Sequence, residues 1–388
     1  MKFIELTEEQ FQEEQDKYPL STFYQTISWA NIKNITGWEK YYVGITQNDK
    51  IIAICLLLAK KTFLNQKLFY APRGPLLDYT NVEVLSFFTK NISKYIKEKN
   101  GYMLKIDPMI TYNTYLDEEH CQEDKIGHAS YQNIINNKYK HLGFTKGYGT
   151  ETQFRWSYCL NIENKTMDEI MKNFKTSVRT CMRKIEKYPL ITEEVSEENL
   201  DDFKMVMEHT AERQNHFDRS KDYYRTLQRE FKNRCKMLIV YLDVPTYLKE
   251  NQEDKLYDEV KKEELLKLPL AAAVFLMDKE RVNYVYGGSI RKYMLLSGPY
   301  KYQYDMLKYA IQNNYKIYDF GGISGNFDKT DPHYGIYGFK KAFRGYIVEY
   351  IGEFDLIINK FYYKTYIIAY KIYKHIRHII GKIKRWLK

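Results

Sequence analysis

No run of eighteen or more apolar residues free of charge occurs in this 388-residue chain, so no membrane-crossing helix is expected. The opening MKFIELTEEQFQEEQ turns acidic at once and lacks an apolar signal region, so nothing in it is expected to direct secretion. The five cysteines (Cys55, Cys121, Cys159, Cys181, Cys235) are odd in number and lack CxxC spacing. That pattern predicts free thiols in a reducing cytoplasm and no zinc site. The eight histidines show neither triad nor metal-ligand spacing, so no metal is expected, and His333 reads as structural.

What is present is a folding chain. Hydrophobic residues make up 44% of it, with 38 tyrosines, which excludes a disordered polymer. The length predicts two or three domains. The net charge of +10 is uneven. After Asp355 come nine cations and no acid: Lys360, Lys364, Lys371, Lys374, Arg377, Lys382, Lys384, Arg385 and Lys388. Taking these nine from +10 leaves residues 1–356 at about +1, a near-neutral body with a basic tail.

Residues 1–150 read as one α/β unit. A short helix is expected over Gln25–Asn34, and strands over Tyr41–Ile45 and Ile51–Ala59 around the turn Gln47-Asn48-Asp49-Lys50. Leu68–Tyr70 is a third strand, ended by Pro72-Arg73-Gly74-Pro75. Thr80 and Glu83 read as a capping box for a helix with Val84, Leu85, Phe88, Ile92, Tyr95 and Ile96 on one face. Tyr102–Ile106 follows and stops at Asp107-Pro108. His141-Leu142-Gly143-Phe144 leads into a further strand.

Residues 151–356 repeat this order. Strands at Leu270–Leu276 and Val282–Tyr286 precede a helix over Tyr300–Asn313 and a strand over Lys316–Phe320. The recurrence predicts an internally duplicated acyltransferase-like α/β unit. Two insertions interrupt it. Lys165–Lys187 is one helical pattern, and Lys172, Lys175, Arg179, Arg183 and Lys187 recur on it as a positive stripe. The stripe reads either as a solvated face or as a contact for a phosphate backbone such as tRNA. Residues 243–268 read as a short charged helical hairpin. Residues 357–388 form an amphipathic tail, with Ile367, Ile368, Ile372, Ile376, Ile379, Ile380, Ile383 and Leu387 on one side and Trp386 near its end. A basic amphipathic helix of this kind suits an anionic membrane surface; the alternative is packing on the body.

The densest signal is YDFGGISGNFDKTDPHYGIYGFKKAFRGYIVEYIGEFDL, from Tyr318 to Leu356. A strand runs into Gly321-Gly322, Gly325 and Pro332, which predict a loop reaching to Lys341. Glycines allow a ligand close to backbone, and aromatics with the adjacent Lys340 and Lys341 suit a guest that develops negative charge. This block resembles the C-terminal signature of the FemABX family, the peptidoglycan bridge aminoacyltransferases. Tyr70-Ala71-Pro72-Arg73-Gly74-Pro75-Leu76-Leu77-Asp78-Tyr79 and Tyr24-Gln25-Thr26-Ile27-Ser28-Trp29-Ala30-Asn31-Ile32-Lys33 agree with it, in the family's order.

The resemblance implies two tandem GNAT-like subdomains, 1–150 and 151–356, facing a cleft. It implies transfer of an amino acid (glycine, alanine or serine) from aminoacyl-tRNA to the stem-peptide amine of lipid II or UDP-MurNAc-pentapeptide. Such an enzyme is expected in the cytoplasm, peripheral on the inner face of the membrane, with no cofactor beyond its co-substrate. By resemblance Lys340 matches the family's cleft lysine, a stabiliser of the oxyanion and leaving group beside Phe339. Lys341 is the runner-up, since two neighbouring lysines are not ranked by sequence. Also by resemblance, Lys33 and Arg219 match positions that hold the pyrophosphate, and Tyr223 and Tyr286 match substrate-contact tyrosines. Asp107, at a strand end, reads as a proton acceptor or as a turn-forming residue before Pro108.

The family often carries a long helical arm where this chain has only 243–268. Two other readings compete. An acetyl-CoA N-acyltransferase needs R/Q-x-x-G-x-G/A before its helix, and Leu296-Ser297-Gly298-Pro299-Tyr300-Lys301 fails that pattern. A noncatalytic membrane-surface scaffold would need no such glycine-rich block.

Overall fold

The structure is a computed structural model that describes residues 1–148, 152–214 and 216–372. It divides into two compact units. The first comprises Met1–Tyr112, Asp124–Thr145 and the chain from Tyr350 onward; the second comprises Asn113–Glu123 and Lys146–Glu349.

The first unit is built on a seven-stranded sheet in the order Lys2–Glu5, Glu39–Gln47, Lys50–Lys61, Lys67–Ala71, Gly101–Ile106, Phe354–Ile357, Tyr139–His141. The expected hairpin forms: Asn48 and Asp49 both take positive φ (49° and 60°), so two residues close the turn between Gln47 and Lys50. Lys67–Ala71 and Gly101–Ile106 run parallel, and the helix Val82–Glu98 makes the crossover that parallel strands require. That helix buries Leu85, Phe88, Ile92 and Ile96 completely, as the periodicity predicts. Its cap is Asn81, which accepts from the Val84 amide at 3.1 Å, and not Thr80. Asp78 has already engaged the Thr80 amide and hydroxyl, at 2.9 and 2.6 Å.

The second unit holds a nine-stranded sheet. Its order is Leu190–Glu194, Cys235–Asp243, Lys267–Met277, Arg281–Ser289, Ile317–Ile323, Trp156–Asn161, Tyr346–Tyr350, Thr111–Tyr115, Cys121–Glu123. Antiparallel strands, a crossover helix (Gly298–Gln312) and then a parallel strand repeat the plan of the first unit. The duplication expected from sequence is therefore real at the level of topology.

Several boundaries move. Phe354–Ile357 pairs antiparallel with Gly101–Ile106 on one side and Tyr139–His141 on the other, so the divisions expected at 150 and 356 are redrawn. A four-residue strand whose partner lies some two hundred and fifty residues away leaves no local trace of its destination. Tyr139–His141 is the strand, and not the residues after it. The pattern over Lys165–Lys187 breaks into two helices, Met167–Asn173 and Thr176–Lys187. Between them Phe174 and Lys175 are extended (ψ 150° each), and Phe174 is buried against Phe343 at 5.1 Å between rings.

The short helical hairpin expected over 243–268 is formed by two helices, Val244–Glu250 and Tyr257–Lys261, and Val244, Tyr247, Leu256 and Val260 belong to the unit's main core. Asp254 ties them down by accepting from Tyr188 and Tyr247, at 2.7 and 2.8 Å.

The tail begins as a helix over residues 360–372 that packs on the first unit. Tyr363 is buried with Tyr70, Tyr102 and Met103, and donates to Asp355 at 2.9 Å. Lys374, Arg377, Lys382, Lys384, Arg385, Lys388, Trp386 and the isoleucines beyond Ile372 lie outside the described residues. Among the described residues no helix is long and apolar enough to cross a membrane.

Candidate active site

The glycine-rich block contains less loop than its composition suggests. Gly321 and Gly322 end the strand Ile317–Ile323, and Tyr334–Lys341 is an eight-residue helix holding Gly335 and Gly338. The loop is confined to residues 324–333. Helix formation follows from Ile336, Tyr337, Phe339 and Lys340, which supply residues to pack or bond at helical spacing, with Tyr337 and Lys340 buried three apart on one face.

The helix separates the two lysines. Lys340 is 6% exposed, and its Nζ donates to the Gly322 carbonyl at 2.7 Å. Burial pulls its amine down to about 7, with Asp319 and Cys159 opposing. Lys341 turns the other way and pairs with Glu118, which also accepts from Tyr337 at 2.8 Å. So Lys340 is the buried, titration-shifted amine and Lys341 is half of an ion pair.

Gly321 has φ +77°, and a Cβ there would meet the Tyr284 carbonyl at 2.9 Å and the Lys340 Nζ at 3.8 Å. Only glycine takes that conformation cheaply and leaves that approach open. Asp319 lies beneath, 1% exposed, accepting from Ser157, from the Gly321 amide at 2.7 Å and from Arg281 at 2.8 Å. Asp319 was not anticipated from sequence. Its signal is a carboxylate on a strand that is otherwise apolar. Phe339 faces the core side of the helix, packing on Tyr300 and Phe343 at 5.3 and 5.4 Å.

A second cluster gathers three predicted residues. Ser220 caps the helix Lys221–Phe231, and Arg219 precedes it with its guanidinium 5.4 Å from the Tyr223 ring. The Tyr223 and Tyr286 hydroxyls lie 3.0 Å apart, joining that helix to the strand Arg281–Ser289. Tyr223 is buried and Arg219 is exposed, so a cation stands at the surface on an aromatic base. Phenol donors beside a guanidinium suit phosphate oxygens.

In the first unit Lys33, on the helix Ile27–Asn34, sits with its amine 4.5 Å from the Trp29 ring. Asp107 is 1% exposed, with both carboxylate oxygens engaged, by the Tyr70 hydroxyl at 2.9 Å and the Arg73 amide at 2.7 Å. Burial pushes it up to about 7, against the pull of Arg73. Through the Arg73 amide it is tied to the Pro72–Pro75 turn. Gln25 braces the same turn, donating to the Pro72 carbonyl at 2.8 Å and accepting from the Leu56 amide at 2.8 Å.

Of the positive stripe, Lys172, Lys175 and Arg179 line one open depression; Arg183 is not part of its lining. Among the described residues no group of three or more His, Cys, Asp or Glu side chains is placed to hold a metal ion.

Comparison with known proteins places the chain in a family. The FemAB family model matches residues 6–266 and 249–371. The aminoacyltransferase FemA of Staphylococcus epidermidis is 31% identical over 418 aligned positions, covering 96% of this chain and 100% of the relative. The aminoacyltransferase FemA of a bovine Staphylococcus aureus strain is 30% identical, covering 96% and 99%. The crystal structure of FemX superposes with a TM-score of 0.80 at 25% identity, covering 94% of this chain and 99% of that one. A tandem GNAT protein from the clavulanic acid pathway shares the fold, with a TM-score of 0.50 at 8% identity and coverage of 92% and 98%.

Proposed function

The chain belongs to the FemAB family, and we propose that it carries glycine, alanine or serine from aminoacyl-tRNA to the stem-peptide amine of a lipid-linked peptidoglycan precursor, building the interpeptide bridge. Its reaction class is aminoacyl transfer. The acceptor nitrogen attacks the ester carbonyl, a C–N bond forms, and the C–O bond to the ribose breaks. The attacking amine gives up a proton and the ribose oxygen takes one. Ester to amide runs downhill, so the proposal requires no ATP, metal or redox cofactor.

The observation that carries this reading is Lys340. A buried lysine held near 7 keeps its proton about half the time at neutral pH. Protonated, it can stabilise the developing oxyanion or hand a proton to the leaving ribose oxygen. Arg219, with Tyr223 and Tyr286, suits the diphosphate of the muropeptide.

The described start of the tail supports docking on an anionic membrane surface, on the inner face of the cell membrane. Phe361, Ile368 and Ile372 are exposed along the helix over residues 360–372, with Lys360, Lys364 and Lys371 exposed between them, while Ile367 packs on the body.

The test is reconstitution with aminoacyl-tRNA and a lipid-linked muropeptide, read by mass spectrometry of the muropeptide. One added aminoacyl residue on the stem peptide is expected. Acetylation from acetyl-CoA with no aminoacyl product would overturn the reading.

A further inference from the structure

Lys172, Lys175, Arg179 and Arg344 line a single open depression of about 520 Å³, together with Asn173, Phe174 and Thr176. Among the described residues none of these four cations makes a salt bridge, whereas their neighbour Lys341 is neutralised by Glu118. Glu118 and Glu169 act on Lys175 and Lys172 without pairing with them, so the gathered like charges are only partly offset and favour the entry of an anion. Burial first, and then the Lys341 and Arg344 charges, hold the Lys175 amine below the usual lysine range, with Glu118 opposing.

The backbone adds to the same potential. The twelve-residue helix Thr176–Lys187 starts at the depression with no side-chain cap and no acid in its first turn. Its first amides therefore have no intrahelical partner and favour an anion. Arg179 is held in place by donating to the Lys172 carbonyl at 2.9 Å, so it closes the gap between the two helices while keeping its charge at the rim.

The depression is also tied to the helix that carries Lys340. The Lys175 amide donates to the Ala342 carbonyl at 2.9 Å, two residues past Lys340, and Arg344 follows two residues later. We propose that this depression is a clamp for backbone phosphates of the aminoacyl-tRNA acceptor end, and that it registers the ester against Lys340. The proposal rests on the aminoacyl-transfer reading. It assigns Arg344 to RNA binding, and it leaves Arg183 outside the contact. An open, strongly basic hollow suits a polyanion that continues past it in both directions. With residues 243–268 folded onto the core, that segment offers no projecting arm to share the task.

The test uses the full chain and a non-hydrolysable aminoacyl-tRNA analogue, with binding followed as salt is raised. Lys172→Gln, Arg344→Gln and the double variant are compared with wild type and with Lys94→Gln, which removes an exposed charge from the first unit. The double variant should bind the analogue about tenfold more weakly or worse. Its log-log salt slope should fall by about one to two, since each single-stranded phosphate contact contributes roughly 0.7. Lys94→Gln should match wild type, muropeptide affinity should not change, and the loss in transfer should fall on KM for the tRNA.

Equal affinity and equal slope in the double variant, with wild type binding the analogue, would overturn the clamp while leaving the transferase reading intact. Loss of anionic-vesicle binding in place of RNA binding would overturn it in favour of a lipid contact. A wild-type protein that binds no tRNA and transfers no amino acid would overturn the reading and the clamp together.

Discussion

Lys340 donates to the carbonyl of Gly322, eighteen residues earlier, and that single bond fixes which of two neighbouring lysines faces the glycine-rich turn. Lys340→Met keeps the length and removes the amine. Single-turnover transfer from aminoacyl-tRNA is expected to fall about a hundredfold to a thousandfold, with substrate affinity changed only a few-fold. Lys341→Met breaks a half-exposed ion pair and is expected to slow transfer less than tenfold. The reverse ranking, measured by rapid quench, would exchange the roles.

The same burial makes a prediction about stability. In the folded chain Lys340 titrates at about 7, against an ordinary 10.5. Between those values the unfolded chain binds the extra proton, so unfolding free energy rises with pH across that window. Below about pH 7 both states are protonated and the cost of burying the cation is fully present. Lys340→Met should therefore unfold at higher denaturant than wild type at pH 6–7, by on the order of a few kcal/mol, with the gap closing toward pH 10.5. A gap that does not change with pH would show that the amine is not titrating where burial places it.

Arg219→Lys keeps the charge but loses the fork that addresses two phosphate oxygens at once. Binding of the lipid-linked muropeptide, followed by calorimetry, should weaken about tenfold. Tyr286→Phe removes one hydroxyl of the pair at 3.0 Å and should weaken it a few-fold. Unchanged affinity in both would move the diphosphate site elsewhere.

For the tail, the packing of Tyr363 dictates where to cut. Removing the chain from Phe361 would expose Tyr70 and Tyr102, so truncation after Ile372 is the cleaner test. That deletion removes six cations, each worth about 1 kcal/mol near an anionic surface before screening. Sedimentation with anionic vesicles at low salt should be lost. Phe361→Ser with Ile368→Ser, both on exposed positions, should weaken it several-fold without lowering stability. A truncated chain that still pellets like wild type would refute membrane docking by the tail.

Much of the fold was legible because its signals are local. The Asn48-Asp49 turn, the apolar face of Val82–Glu98 and the strand–helix–strand order of both units depend on residues close in sequence. The glycine-rich block was located correctly, yet its second half was read as loop. Gly335 and Gly338 sit in a helix because Tyr337, Phe339 and Lys340 make enough tertiary contacts to outweigh about 1 kcal/mol per glycine. Ranking Lys340 over Lys341 from the residues alone was out of reach, since it depends on the bond of Lys340 to Gly322 and on the pairing of Lys341 with Glu118, more than two hundred residues upstream. The surroundings of Asp107 were out of reach for the same kind of reason: its partners Tyr70 and Arg73 come from another strand end.

The strand Phe354–Ile357, inserted between Gly101–Ile106 and Tyr139–His141, sets an order on biosynthesis. The ribosome makes the first sheet's other six strands before the bulk of the second unit, and the missing one after it. Until residue 357 has left the exit tunnel, Gly101–Ile106 and Tyr139–His141 stand apart with an unfilled slot between them, two open edges ready to pair with another nascent chain. Completion of the amino-terminal unit thus waits until the whole second unit has been made. A polypeptide stalled before residue 357 carries an unfinished sheet, whose open edges are accessible in a way that those of the finished sheet are not.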